Sequence, residues 1–145
     1  MTMAASQYLE SGVLNHLFRS SAFGQPTTIA IALTTDIPDE SQTGVTINEV
    51  ANAGAYARVD IGAPTDGDWS FMDQVNGSGH VDNVSIITFP TATANWGYAS
   101  GVAIIDNATY GAGNLLFHSA LDNARDIENN DTFSFPANGL DIYLS

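Results

Sequence analysis

The chain predicts a mainly β fold: an antiparallel β-sandwich or jelly-roll-like domain over about residues 27–145, preceded by one short helix over about residues 6–19. Three observations carry that reading. Apolar residues recur at helical spacing in one stretch, near the start, and beyond Pro26 the apolar runs are short and separated by turn signals. The third is composition: 44% of the 145 residues are hydrophobic and 13% are charged, which suits one real core and a single domain spanning 1–145.

Each element has its own warrant. Leu9, Val13 and Leu17 recur every fourth residue, with Leu14 and Phe18 on the same broad face, and Ser20, Ser21, Gly24 and Pro26 end the helix. Thr28–Leu33 alternates Ile29, Ile31 and Leu33 with Ala30 and Ala32, before a turn at Asp36–Ile37–Pro38. Residues 41–54, rich in Gly, Thr and Asn, read as a long flexible loop. Tyr56–Ile61 alternates as a half-buried strand, which puts Tyr56, Arg58 and Asp60 on one face and predicts an ion pair from Arg58 to a cross-strand carboxylate. Trp69–Met72 is an apolar run between the turns Asp66–Gly67–Asp68 and Asn76–Gly77. Val81–Phe89 stops at Pro90, and Trp96–Ile105 contains Gly97 and Gly101, which signal a bend or bulge. Asn114–Ala120 is the next strand, Asp122–Asp131 an acidic connection, and Thr132–Phe135 and Leu140–Leu144 flank the turn Pro136–Gly139. Trp96, Phe89, Ile104, Leu116 and Phe133 are the expected core, and Trp69, Phe71 and Tyr98 also read as core more than as a sugar-binding platform.

Charge excludes whole classes of partner. Sixteen acidic residues stand against Arg19, Arg58 and Arg125, with no lysine, for a net charge of −13. Phosphate backbones and anionic membrane surfaces need cations that this chain lacks, so neither nucleic acid nor membrane is expected as a partner. The absence of cysteine removes disulfides, thiolate zinc sites and a cysteine nucleophile. No apolar run approaches the roughly 20 residues of a membrane helix, and Met1–Glu10 lacks the basic and apolar regions of a secretory leader.

Candidate chemistry is sparse. His16, His80 and His118 are the three imidazoles; His80 lies two residues before Asp82, a pairing that could orient a general base, yet no serine elbow accompanies it. No catalytic residue and no cofactor are therefore expected. Asp126, Glu128 and Asp131 are weak calcium candidates, because they sit in one acidic stretch but do not follow the twelve-residue calcium-loop pattern.

Several stretches, in order, resemble a known family: the helix ending Leu17–Phe18–Arg19, the Tyr56–Ala57–Arg58 strand, Thr88–Gly97 through Asn95–Trp96, and Val102–Asp106 paired with Gly113–Leu121. The chain is similar to small tailed-bacteriophage virion structural proteins of the tail-fibre-like, minor-tail or decoration type, over about residues 6–144. The resemblance implies a non-enzymatic virion protein, assembled in the host cytoplasm, and carries no active-site residues. Its first form is a capsid decoration or cement subunit that stabilises the particle; the alternatives are a tail or tail-fibre accessory protein, and a small carbohydrate-binding module or surface hydrolase. The expected partners are the major capsid protein or tail proteins, together with further copies of the chain. The low charged fraction points to apolar contact surface, and Leu9, Val13 and Leu17 on the helix, with the loop 36–54, are the expected contact elements.

Overall fold

A computed structural model describes all of residues 1–145. The first strand, β1 (Thr2–Ala5), precedes the helix α1 (Gln7–Phe18), and both lead into β2 (Ile29–Thr34). Ser6 caps the helix: its Oγ accepts from the Leu9 amide at 3.2 Å and donates to the Leu115 carbonyl, so one buried hydroxyl both starts α1 and ties it to the sheet. The helix agrees with its expected limits to one residue at each end.

The remaining strands are β3 (Val59–Gly62), β4 (Asp73–Val75), β5 (Ser78–Asp82), β6 (Ile87–Thr88), β7 (Gly97–Ile105), β8 (Leu115–Ile127), β9 (Ser134–Phe135) and β10 (Asp141–Leu144). Eight of them form one sheet in the order β3-β2-β7-β8-β1-β10-β5-β4, and β6 pairs with β9 in a second, small sheet. The fold is mainly β with one short helix. Every pairing is antiparallel except β1 with β10, which is parallel and makes the large sheet mixed. β4 and β5 form a two-residue hairpin in which Asn76 and Gly77 both take positive φ, 52° and 83°, the geometry that Asn–Gly favours.

The main core lies on one face of the large sheet. Ile31, Leu33, Val102 and Ile104 project from its centre against Phe89, Phe133 and Phe135, which lie in or beside the small sheet, with Trp96 and Tyr56 alongside. All five expected core residues are buried. The opposite face of β2 and β7 carries a second cluster of Ala32, Ala103, Ile105 and Leu115, covered by Ile47. β2 is therefore buried on both faces.

Four local expectations need correction. The strand expected from Tyr56 begins only at Val59, because Tyr56 and Arg58 are committed to buried side-chain bonds outside the ladder. Val81–Phe89 is split into β5 and β6, with Val84 and Ile86 exposed between them. β8 continues to Ile127 through the acidic stretch, and a register shift against β7 near Ala99–Gly101 masks its alternation. Phe71 is 95% exposed and Tyr98 52%, so neither belongs to the core.

The loop 41–54 is also more ordered than its composition suggests. Arg58 reaches into it and makes a two-pronged ion pair with Glu49, Nε to Oε1 and Nη2 to Oε2, both at 2.9 Å. The same guanidinium donates to the carbonyls of Gly44, Asn107 and Ala112. A β-carbon on Gly44 would lie 2.2 Å from the Ala112 oxygen, so only glycine allows the two loops to meet there. The Tyr56 hydroxyl completes the cluster by donating to Glu49 at 2.8 Å, and burial, with the Glu49 carboxylate beside it, keeps that phenol protonated far above its usual range. The partner of Arg58 is thus a loop carboxylate, not a cross-strand one; Asp60 bonds Thr28 instead.

Candidate functional site

Two features stand out on the β10–β5–β4 side of the sheet, one on each face. Alternation places Asp141, Tyr143, His80, Asp82 and Asp73 on one face, and Ile142, Val81 and Leu144 on the other.

On the polar face, His80 is held between two carboxylates. Its Nδ1 lies 3.0 Å from Asp73 Oδ1 and its Nε2 3.1 Å from Asp141 Oδ1, and the ring packs on Tyr143 at a centroid distance of 4.6 Å. Hydrogen bonding to Asp141 first, and then to Asp73, raises its pKa above the ordinary 6.5. When protonated, an imidazole with both nitrogens facing carboxylates donates from each and has no lone pair left for a substrate proton. The arrangement clamps β4, β5 and β10 together. The Asp82 pairing expected from sequence is not made. Asp82 lies near instead: one ligand atom from each of His80, Asp82 and Asp141 falls within 4.8 Å of the others, the grouping best placed to hold a cation, although ligation by Nε2 would break its contact with Asp141.

The calcium candidates are not brought together in this way. Asp126 lies in β8 opposite Tyr98, and the Asp131 carboxylate accepts from the Glu128 amide at 2.8 Å, closing the turn that carries both. Of the other imidazoles, His16 Nδ1 accepts from the Phe23 amide at 3.1 Å, and His118 follows Phe117 in β8 with its Nε2 buried and unpartnered.

On the opposite face lies an open apolar groove of about 630 Å³. Its floor is sheet: Ile29, Ile104, Leu116 and Ile142. Leu9 of α1 and Phe23 form one wall, and Trp69 and Met72 the other. Phe23 stands there because Gly12 leaves room for its ring, where a β-carbon would come within 2.4 Å, and because Tyr8 meets it edge-on at 5.7 Å. Eleven of the seventeen lining residues are hydrophobic. The groove continues the main core: its four floor residues are themselves buried, and the opening lies between the walls above them.

The family model described as Podophage GP4 fiber I protein gp80 matches residues 4–143. The chain belongs to that family. Curated proteins, by contrast, give no match. The match takes in the helix, both faces of the sheet and every site described above, and it bears out the resemblance to tailed-phage virion structural proteins. The family is one of phage virion structural, tail-fibre proteins, and nothing in its description assigns a reaction.

Of the residues expected to meet a partner, Leu9 lines the groove, Val13 is half-buried, and Leu17 is 65% exposed. Sequence reading missed the groove itself. The apolar Trp69–Met72 run, whose Trp69 and Phe71 the sequence assigns to the core, instead supplies a groove wall through Trp69 and Met72 and leaves Phe71 exposed.

Proposed function

We propose that the chain is a non-enzymatic component of the phage tail fibre, held in the virion by contacts with neighbouring virion proteins. The observation that carries this reading is the family match over residues 4–143, whose description is that of a fiber protein. For that reason the fibre is favoured over capsid decoration. Two features of the molecule support a structural role: the imidazole nearest to any acidic cluster has both nitrogens engaged, and the large cleft is apolar instead of lined by convergent polar groups. A net charge of −13 fits partners recognised by apolar contact or by their own basic groups.

The test is the position and abundance of the protein in purified particles. Quantitative mass spectrometry should give a copy number far below that of the major capsid protein, and antibody labelling should fall at the tail. A copy number comparable with that of the capsid protein, with label spread over the head, would restore the decoration reading.

A further inference from the structure

The dipeptide Asn–Gly occurs twice in the chain, at 76–77 and 138–139. Its chemistry needs no enzyme. Glycine has no side chain to screen its amide, so that nitrogen can attack the side-chain carbonyl carbon of the preceding asparagine. A C–N bond forms, the glycine nitrogen gives up its proton, ammonia leaves, and the product is a five-membered succinimide. Water then opens the ring at either carbonyl, leaving aspartate or isoaspartate. In isoaspartate the main chain runs through the β-carbon and is one atom longer.

The two sites are held very differently. Both asparagines are left-handed, with φ 52° at Asn76 and 59° at Asn138. That conformation turns the following nitrogen away from the side chain, so the ring closes only when the turn opens. Asn138 sits in a pinned turn: its own amide donates to the Asn83 carbonyl at 2.7 Å, and the Gly139 amide donates to the Pro136 carbonyl at 3.0 Å. The Leu140 amide donates to Asn83 Oδ1 at 2.8 Å, and Asn83 and Leu140 are both buried. A β-carbon at Gly139 would lie 2.8 Å from the Pro136 oxygen, so this turn is packed as well as bonded. Asn76 and Gly77, by contrast, are both exposed at the tip of the β4–β5 hairpin. A β-carbon at Gly77 would meet nothing within 4 Å, and no hydrogen bond holds the Asn76 side chain or the Gly77 amide. β4 is three residues long and lies at the edge of the sheet, closed by its three register pairs with β5 and by the Asp73–His80 bond.

We propose that Asn76 is a site of spontaneous modification, converted to aspartate and isoaspartate in the folded protein while Asn138 is protected. The isoaspartate product lengthens the backbone inside a two-residue turn. Such a turn cannot keep Asp73, Gln74 and Val75 opposite His80, Gly79 and Ser78, so β4 is released from the sheet edge. Met72 and Gln74 line the groove, so the same event loosens one of its walls. None of this depends on fibre or capsid location.

The test ages the purified full chain at mildly alkaline pH, beside a sample held in denaturant. Tryptic cleavage after Arg58 and Arg125 puts the two sites in separate peptides, 59–125 and 126–145, in which tandem mass spectrometry locates the lost amide. In the folded protein Asn76 should react about tenfold or more faster than Asn138. In denaturant the two should agree within about threefold, because the same dipeptide then reacts without the turn around it. Hydrogen exchange over residues 72–80 should be faster in the isoaspartate fraction and unchanged in Asn76→Asp, which adds the charge without the extra backbone atom. Equal rates at the two sites in the folded protein overturn the proposal, as does an unreacted Asn76 in a sample whose denatured counterpart reacts. Unchanged exchange in the isoaspartate fraction overturns the release of β4.

Discussion

The β2–β7 half of the large sheet and the β10–β5–β4 half are built to different standards of cover. All six residues of β2 are buried, as are the last five of β7, whereas β5 is half-buried throughout and β4 is mostly exposed. The difference begins in sequence. Ile29–Thr34 is apolar on both faces and therefore needs a layer on each, which the aromatic core supplies on one side and the loop around Ile47 on the other. Ser78–Asp82 is polar on one face and sparsely apolar on the other, and it stays half-buried along its whole length, with Val81 packed against the margin of the core. The lesson is that the apolar pattern of a strand states how many covers it needs, and that the strands left short of cover mark the face available to another molecule.

The first way to break this comparison is to remove the staple that holds the second cover in place. Arg58→Ala would leave Glu49 buried without its partner, and three loop carbonyls without a donor. The variant should lose about 3–5 kcal/mol of stability in denaturant unfolding, because breaking a buried pair leaves an uncompensated charge. A loss typical of a surface pair, about 1 kcal/mol or less, would mean that the loop covers β2 without help from this ion pair.

A matched pair of truncations sharpens it. Leu33 is fully buried in β2, and Leu33→Ala should cost about 2–5 kcal/mol, since neighbours packed on both faces cannot collapse into the space. Val81 borders the groove and is half-buried, so Val81→Ala should cost about 1 kcal/mol or less, because water already reaches the site and no closed cavity forms. Equal losses measured by the same unfolding experiment would show that the open half is as tightly held as the covered one.

The covered half was legible and the open half was not, for a physical reason. Apolar period and the breakers after Arg19 found α1 to one residue at each end, alternation found β2, and apolar runs found most of β7 and the start of β8, because each is a local pattern enforced by a nearby core. β1 was missed: it is four residues long, and its partners, β8 and β10, lie at the far end of the sequence. Glu49 could not be picked out for Arg58, because a loop has no period to say which of sixteen carboxylates faces inward. Nor could sequence say that His80 would meet Asp73 and Asp141, since that depends on the register of β5 against two different strands.

That register supplies the smallest effect, confined to the open half. His80 is faced by Asp73 from β4, Asp141 from β10 and its own neighbour Asp82, with the Tyr143 ring against it; the Met1 α-ammonium lies 3.6 Å from the other Asp141 oxygen. Its pKa is raised on folding, with the bond to Asp141 as the larger cause and that to Asp73 next. The folded protein therefore binds this proton more tightly than the unfolded chain does, so the clamp contributes its full stability below the ordinary value of 6.5, while the carboxylates remain ionised. The contribution is lost as pH rises through the higher folded value. Comparing the unfolding midpoints of the wild type and His80→Gln from about pH 5 to 9 should show a wild-type advantage that is largest on the acid side of that range and shrinks above it. Leu33→Ala and Arg58→Ala, both in the covered half, should leave this pH dependence in place. An advantage that grew with pH would mean that the folded state prefers the neutral ring, and His80 would then have a nitrogen free for chemistry after all.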